Sequence, residues 1–163
     1  MNLSGGTANS SNFTTVQGGL SYKATYSGDS NYFGSTGDCE PLTVEKLGAK
    51  GCTPGYWKQS QHFDSYVGYS PTDSFETIFG RDAYTGDPSL LAVLNFGGGG
   101  LEALGRHTVA ALLNSSSPSV NYKYTSSQVI SMFQQAFDSH NATTIENTKN
   151  LLEAAHSGGC PIS

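Results

Sequence analysis

Charge is scarce in this chain. Only 13% of its 163 residues are Asp, Glu, Lys or Arg, against about 25% in an ordinary soluble domain. Arg81 and Arg106 are the only arginines. No Lys/Arg cluster is present to neutralise phosphates, which rules out a nucleic-acid module and disfavours binding to anionic membranes. Long apolar runs are also missing. The longest, Leu90–Leu94, is far short of the roughly 20 residues that span a bilayer, so no membrane insertion is expected. Cysteine is limited to Cys39, Cys52 and Cys160, with no Cys-x-x-Cys or Cys/His ligand spacing. Neither a metal nor any other cofactor is expected. The opening MNLSGG has no basic segment followed by an apolar one, so an exported form would be a mature or trimmed product.

What replaces charge is neutral polarity. Gly numbers 20 and Tyr 9, and Ser plus Thr make up roughly a quarter of the chain. Apolar residues reach 36% and aromatics 11%, enough to support a core and argue against wholesale disorder. Net charge is −5. Residues 1–51 carry Lys23, Lys46 and Lys50 against Asp29, Asp38, Glu40 and Glu45, a net of −1. On that division the excess lies in the later part, and the nearly neutral early part is the expected contact surface. Acceptor sequons at Asn2, Asn9, Asn12, Asn114 and Asn141 are compatible with export, though a chain this rich in Ser and Thr produces some by chance.

Two hydrophobic periods divide the chain. In residues 1–47, Leu20, Tyr22, Ala24 and Tyr26 alternate with Ser21, Lys23, Thr25 and Ser27, the period of two of a half-buried strand. Phe13–Val16 reads as a shorter strand before it, Gly28–Asn31 as a turn, and Leu42–Val44 as a further strand with Pro41 at its start or edge. Leu20, Tyr22, Ala24, Tyr26, Leu42 and Val44 form the expected strand-pairing core. From residue 48 the period changes to that of helices. Thr53-Pro54 and Asp87-Pro88 read as helix starts, the first helix carrying Tyr56, Phe63 and Val67 on one face. Gly97–Gly100 interrupts the chain, and Leu101, Leu104, Thr108, Ala111 and Leu112 then follow at spacings of three and four. Thr125 and Gln128 form a capping box. A last helix buries Ile145, Thr148, Leu152 and Ala155 and stops at Gly158-Gly159. About five helices result.

At Gly51-Cys52-Thr53-Pro54-Gly55-Tyr56-Trp57-Lys58 the later region resembles the CTPGYWK-type module of exported and cell-surface prokaryotic proteins. The likeness continues through Leu90–Gly100, Arg106-His107, Val109–Asn114 and Gly159-Cys160-Pro161. Gly19–Tyr32 and Cys39–Val44 resemble the closing part of a bacterial Ig-like repeat, a stalk and adhesion module. A complete Ig sandwich needs about seven strands and 100 residues, and this region holds less than half of that. It is thus a fragment of a larger surface protein, a sandwich completed by a strand from another chain, or a sheet packed on the helices. The resemblances imply an α+β fold: a partial antiparallel Ig-like β-sandwich region (1–47), followed by a small disulfide-closed α-helical bundle (48–163).

In an exported protein Cys52 and Cys160 would form a disulfide, closing a loop of about 108 residues worth up to about 4.7 kcal/mol. A Cys39–Cys52 pair is the competing arrangement, and two free thiols the reduced one. With Cys52 and Cys160 joined, Cys39 stays unpaired or bonds to another chain. The resemblances imply an extracellular structural or adhesive segment, a fibre or stalk subunit whose partners are copies of itself or neighbouring surface-protein domains. Two other functions stay open: a module binding glycan or protein through exposed tyrosines, and a small hydrolase using His107, which has Glu102 and Arg106 nearby. No catalytic residue is assigned, because the chain has no Gly-x-Ser-x-Gly elbow and its four histidines have no metal-site spacing. His107 reads more simply as a helix-contact histidine, Tyr56 and Trp57 as core anchors, Gly97–Gly100 as a turn, and Asp29, Asn31 and Asp38 as a solvated connection.

Overall fold

The change of period at residue 48 corresponds to a change of architecture. A computed structural model of the chain describes residues 20–22, 25–28, 30–31, 33–37, 40–42 and 50–162. It divides into two units, Met1–Glu45 and Lys46–Ser163. The fold is mixed helix and short strand, mostly helical, with a Cys52–Cys160 disulfide.

In the first unit, β1 (Leu20–Tyr22) pairs antiparallel with β4 (Glu40–Leu42), and β2 (Thr25–Gly28) pairs antiparallel with β3 (Phe33–Thr36). The registers are Leu20 opposite Leu42, Tyr22 opposite Glu40, and Tyr26 opposite Ser35. The alternation from Leu20 to Tyr26 predicts one strand, yet its two halves belong to different ladders. Gly28, at φ 84°, ends β2 in a conformation that favours glycine. Two ladders of two strands do not amount to an Ig sandwich. Phe13–Val16, Ala24, Cys39 and Val44 lie outside the described residues.

The second unit holds six helices and one 3₁₀ turn among the described residues: α1 (Pro54–Trp57), the turn Ser60–Ser65, α2 (Phe75–Phe79), α3 (Leu90–Leu94), α4 (Gly100–Ser116), α5 (Ser126–Asp138) and α6 (Ala142–Ala155). Helix α4 is the central element, buried from Thr108 through Asn114, and both α5 and α6 pack on it. Trp57, Phe75, Phe79, Leu90, Leu94, Leu104, Leu112, Leu113, Tyr122, Phe133 and Leu152 fill the core. The capping box at Thr125 and Gln128 is formed. Asn141 caps α6 by accepting from the Thr143 and Thr144 N–H groups.

Three local readings need correction. The first helix ends at Trp57 rather than running through Phe63 and Val67, and Val67 is exposed. Asp87-Pro88 does not open a helix: Ser89 caps α3, while Asp87 has φ 46° and accepts from the Ser74 hydroxyl and the Glu76 N–H. Helix α6 ends at Ala155, with His156 as its cap, before Gly158-Gly159. Helix α2, with Phe75 and Phe79 buried, was not anticipated; five residues are too few to display a helical period.

Candidate functional site

The polar residues of the helical unit converge where the chain enters it. Cys52 is fully buried and lies immediately before the Thr53-Pro54 start of α1. Its N–H donates to Asn114 Oδ1 (2.8 Å), and its carbonyl accepts from Asn114 Nδ2 (2.8 Å). Trp57 Nε1–H donates to the same Asn114 oxygen (3.2 Å). These two donors to Oδ1 fix the amide orientation. Asn114 Nδ2 also reaches His156 Nδ1 (3.2 Å), and the Tyr122 hydroxyl lies 3.4 Å from that nitrogen. With donors on this side, His156 Nδ1 is the acceptor and the ring carries its proton on Nε2.

The approach is close. A side chain at Gly51 would lie 3.0 Å from the Ala155 carbonyl and 3.1 Å from both His156 Cα and a Tyr122 ring carbon. One polar cluster therefore fastens the entering strand of chain, the end of α4 and the end of α6 beside the disulfide. Asn114 sits in a sequon, but it is buried and both of its amide atoms are engaged. The folded chain therefore offers no acceptor there.

His107 on α4 lies half-buried beside His156, their rings nearly parallel with centroids 5.6 Å apart. Burial lowers the pKa of both. For His107, Glu153 and Glu146 pull the other way, while Lys149 and Arg106 add to the depression. His156 falls to about 4, through burial and then the neighbouring His107. The His107 backbone carbonyl favours the protonated His156 ring without meeting hydrogen-bond geometry with Nε2. His107 Nδ1, Thr108 Oγ1 and His156 Nε2 are buried without hydrogen-bond partners. Parallel rings do not aim their nitrogen lone pairs at one point, and no group of three metal-binding side chains occurs among the described residues. Nor does any described hydroxyl or carboxylate hydrogen-bond to His107, as a nucleophile–base pair requires.

The remaining residues singled out in the sequence fall in separate places. Leu20, Tyr22 and Leu42 lie in the β1–β4 ladder and Tyr26 in the β2–β3 ladder. Tyr56 stacks on His62 at 3.7 Å and meets Trp57 edge-on at 5.2 Å. Asn114, Tyr122 and His156 gave little signal beforehand, because their partners lie 34 to 62 residues away in sequence. No helix among the described residues is long and apolar enough to cross a membrane. Compared with protein-family models, curated proteins and solved structures, the chain matches none.

Proposed function

We propose that the chain is an extracellular structural or adhesive segment of a surface protein, a fibre or stalk unit whose Ig-like β region is completed by a strand from another copy. The observation that carries this reading is the state of β3. All four of its residues are exposed, and Phe33 is 99% exposed. A two-stranded ladder is marginal in water by itself. Among the described residues neither ladder has a third strand, and the outer edge of a two-stranded ladder offers N–H and C=O groups that an incoming strand can satisfy. An added strand would also cover the Phe33 ring. The Cys52–Cys160 disulfide is compatible with an oxidising compartment, and the CTPGYWK-type and Ig-like resemblances agree with a surface protein. Cys39 is then available for a bond to a neighbouring copy.

Size-exclusion chromatography with negative-stain microscopy tests the reading. Concentration-dependent oligomers or filaments are expected, and Phe33→Lys should return them to monomer by placing charge on the edge. A wild-type protein that stays monomeric at every concentration would overturn it.

A further inference from the structure

We infer that the cleft between residues 83–85 and the start of α4 is a binding site for a neutral saccharide. It is a cavity of about 390 Å³ lined by residues 83–85 together with Phe96, Gly97, Leu101 and Glu102. Its contents suit a sugar: two half-buried aromatic rings, a hydroxyl at Thr85, an exposed carboxylate at Glu102 and bare backbone at Gly97. Aromatic rings present an apolar surface to the C–H faces of a pyranose, and a carboxylate accepts from its hydroxyls.

The walls are fixed before any ligand arrives. The Tyr84 hydroxyl donates to the Leu101 carbonyl (2.8 Å), and the ring meets Phe96 edge-to-face at 5.0 Å. Gly105 lets Tyr84 seat itself, because a Cβ there would collide with the tyrosine hydroxyl. The Phe96–Gly98 segment is held by Arg106, whose guanidinium donates to the Phe96 carbonyl (2.9 Å) and the Gly98 carbonyl (2.8 Å). A preorganised wall reduces the ordering cost of binding.

Charge selects the ligand class. Among the described residues, Glu102 is the only ionic group lining the cleft. The Arg106 guanidinium, already committed to two carbonyls, lies close enough to oppose Glu102 in its effect on Tyr84. The lining therefore carries a single negative charge, which disfavours an anion, while the aromatic walls and the Thr85 hydroxyl suit a neutral polyol; choline in the titration below tests a cation. The glycines are informative too. Neither Gly97 nor Gly99 has a positive φ, and a Cβ on either would meet nothing within 4 Å. Neither backbone conformation nor packing requires glycine at these positions, and at Gly97, which lines the cleft, its effect is to leave the wall without a side chain.

The cleft is lined by residues of the second unit and the proposed strand addition uses the first, so Phe33→Lys is the monomeric background in which it is tested. Backbone amide spectra would be recorded during titration with glucose, galactose, mannose and N-acetylglucosamine, then with choline and inorganic phosphate. At least one neutral sugar should shift the amides of residues 83–85 and 96–102. Its affinity should fall about tenfold in Phe96→Ala and in Glu102→Gln. Gly97→Val should block the cleft without touching the core. The proposal is overturned if no neutral sugar shifts these amides, if choline or phosphate binds there in preference, or if the shifts survive all three substitutions in folded protein.

Discussion

Replacing Asn114 by alanine removes four hydrogen bonds and leaves the Cys52 N–H and carbonyl and the Trp57 indole N–H buried without this partner. At about 1–3 kcal/mol for each orphaned group, before relaxation, the loss should be about 3 kcal/mol or more in urea unfolding. A loss below about 1 kcal/mol would show the cluster to be dispensable. His156 makes a different prediction. Its folded pKa is about 4, down from 6.5, so the unfolded chain takes up the proton first as pH falls. The stability is complete above pH 6.5 and is lost progressively as pH falls towards 4, by about 3 kcal/mol. His107 is shifted in the same direction and adds to the slope. His156→Gln keeps an acceptor and cannot titrate, so its stability should vary less over that range. An unchanged slope would assign the acid sensitivity elsewhere. Neither residue's role was legible in the sequence: Asn114 read as a sequon and His156 as one histidine among four. Their partners come together only in the folded chain.

Elements with long periods or explicit caps were readable; of the short ones, only the start of α1 at Thr53-Pro54 and the inward Leu90 and Leu94 of α3 were. Helices α4, α5 and α6 run 17, 13 and 14 residues, long enough for apolar spacings of three and four to stand out. Thr125 and Gln128 announced the start of α5, and Thr125→Ala should cost about 1 kcal/mol in thermal unfolding. Helices α1, α2 and α3 have four or five residues each and are set by tertiary contacts. Asp87 illustrates the difference: before a proline it resembles a cap, but its carboxylate serves α2 by accepting from Ser74 and Glu76. The cleft was similarly unreadable. Gly97–Gly100 was visible only as a break, while Tyr84 depends on Gly105, 21 positions later. Gly105→Ala should destabilise by about 1–3 kcal/mol through overpacking, and Tyr84→Phe in that background should recover part of the loss by removing the hydroxyl. If the double variant is no better than the single, the clash lies with Val93, whose Cγ1 would be 3.0 Å from the new methyl.

At the scale of the whole chain, the unit boundary changes the charge argument. Counted to residue 51, the early region is nearly neutral. Divided between Glu45 and Lys46, the first unit keeps Lys23 against Asp29, Asp38, Glu40 and Glu45, a net of −3, and the helical unit carries −2. The contact surface proposed for strand addition therefore lies in the more acidic unit for its length. Two copies approaching through it repel each other, and the repulsion is screened over about 30 Å at 0.01 M salt but about 8 Å at 0.15 M. Association through β2 or β3 should therefore strengthen as salt is raised across that range. Phe33→Lys should stay monomeric across the same salt series, because it places a charge on the pairing edge. Sedimentation velocity at a series of salt concentrations measures both effects. Association that weakens with salt would point to attraction between opposite charges on neighbouring copies, such as Lys23 of one with an acidic residue of the other, in place of edge-to-edge pairing between like-charged sheets.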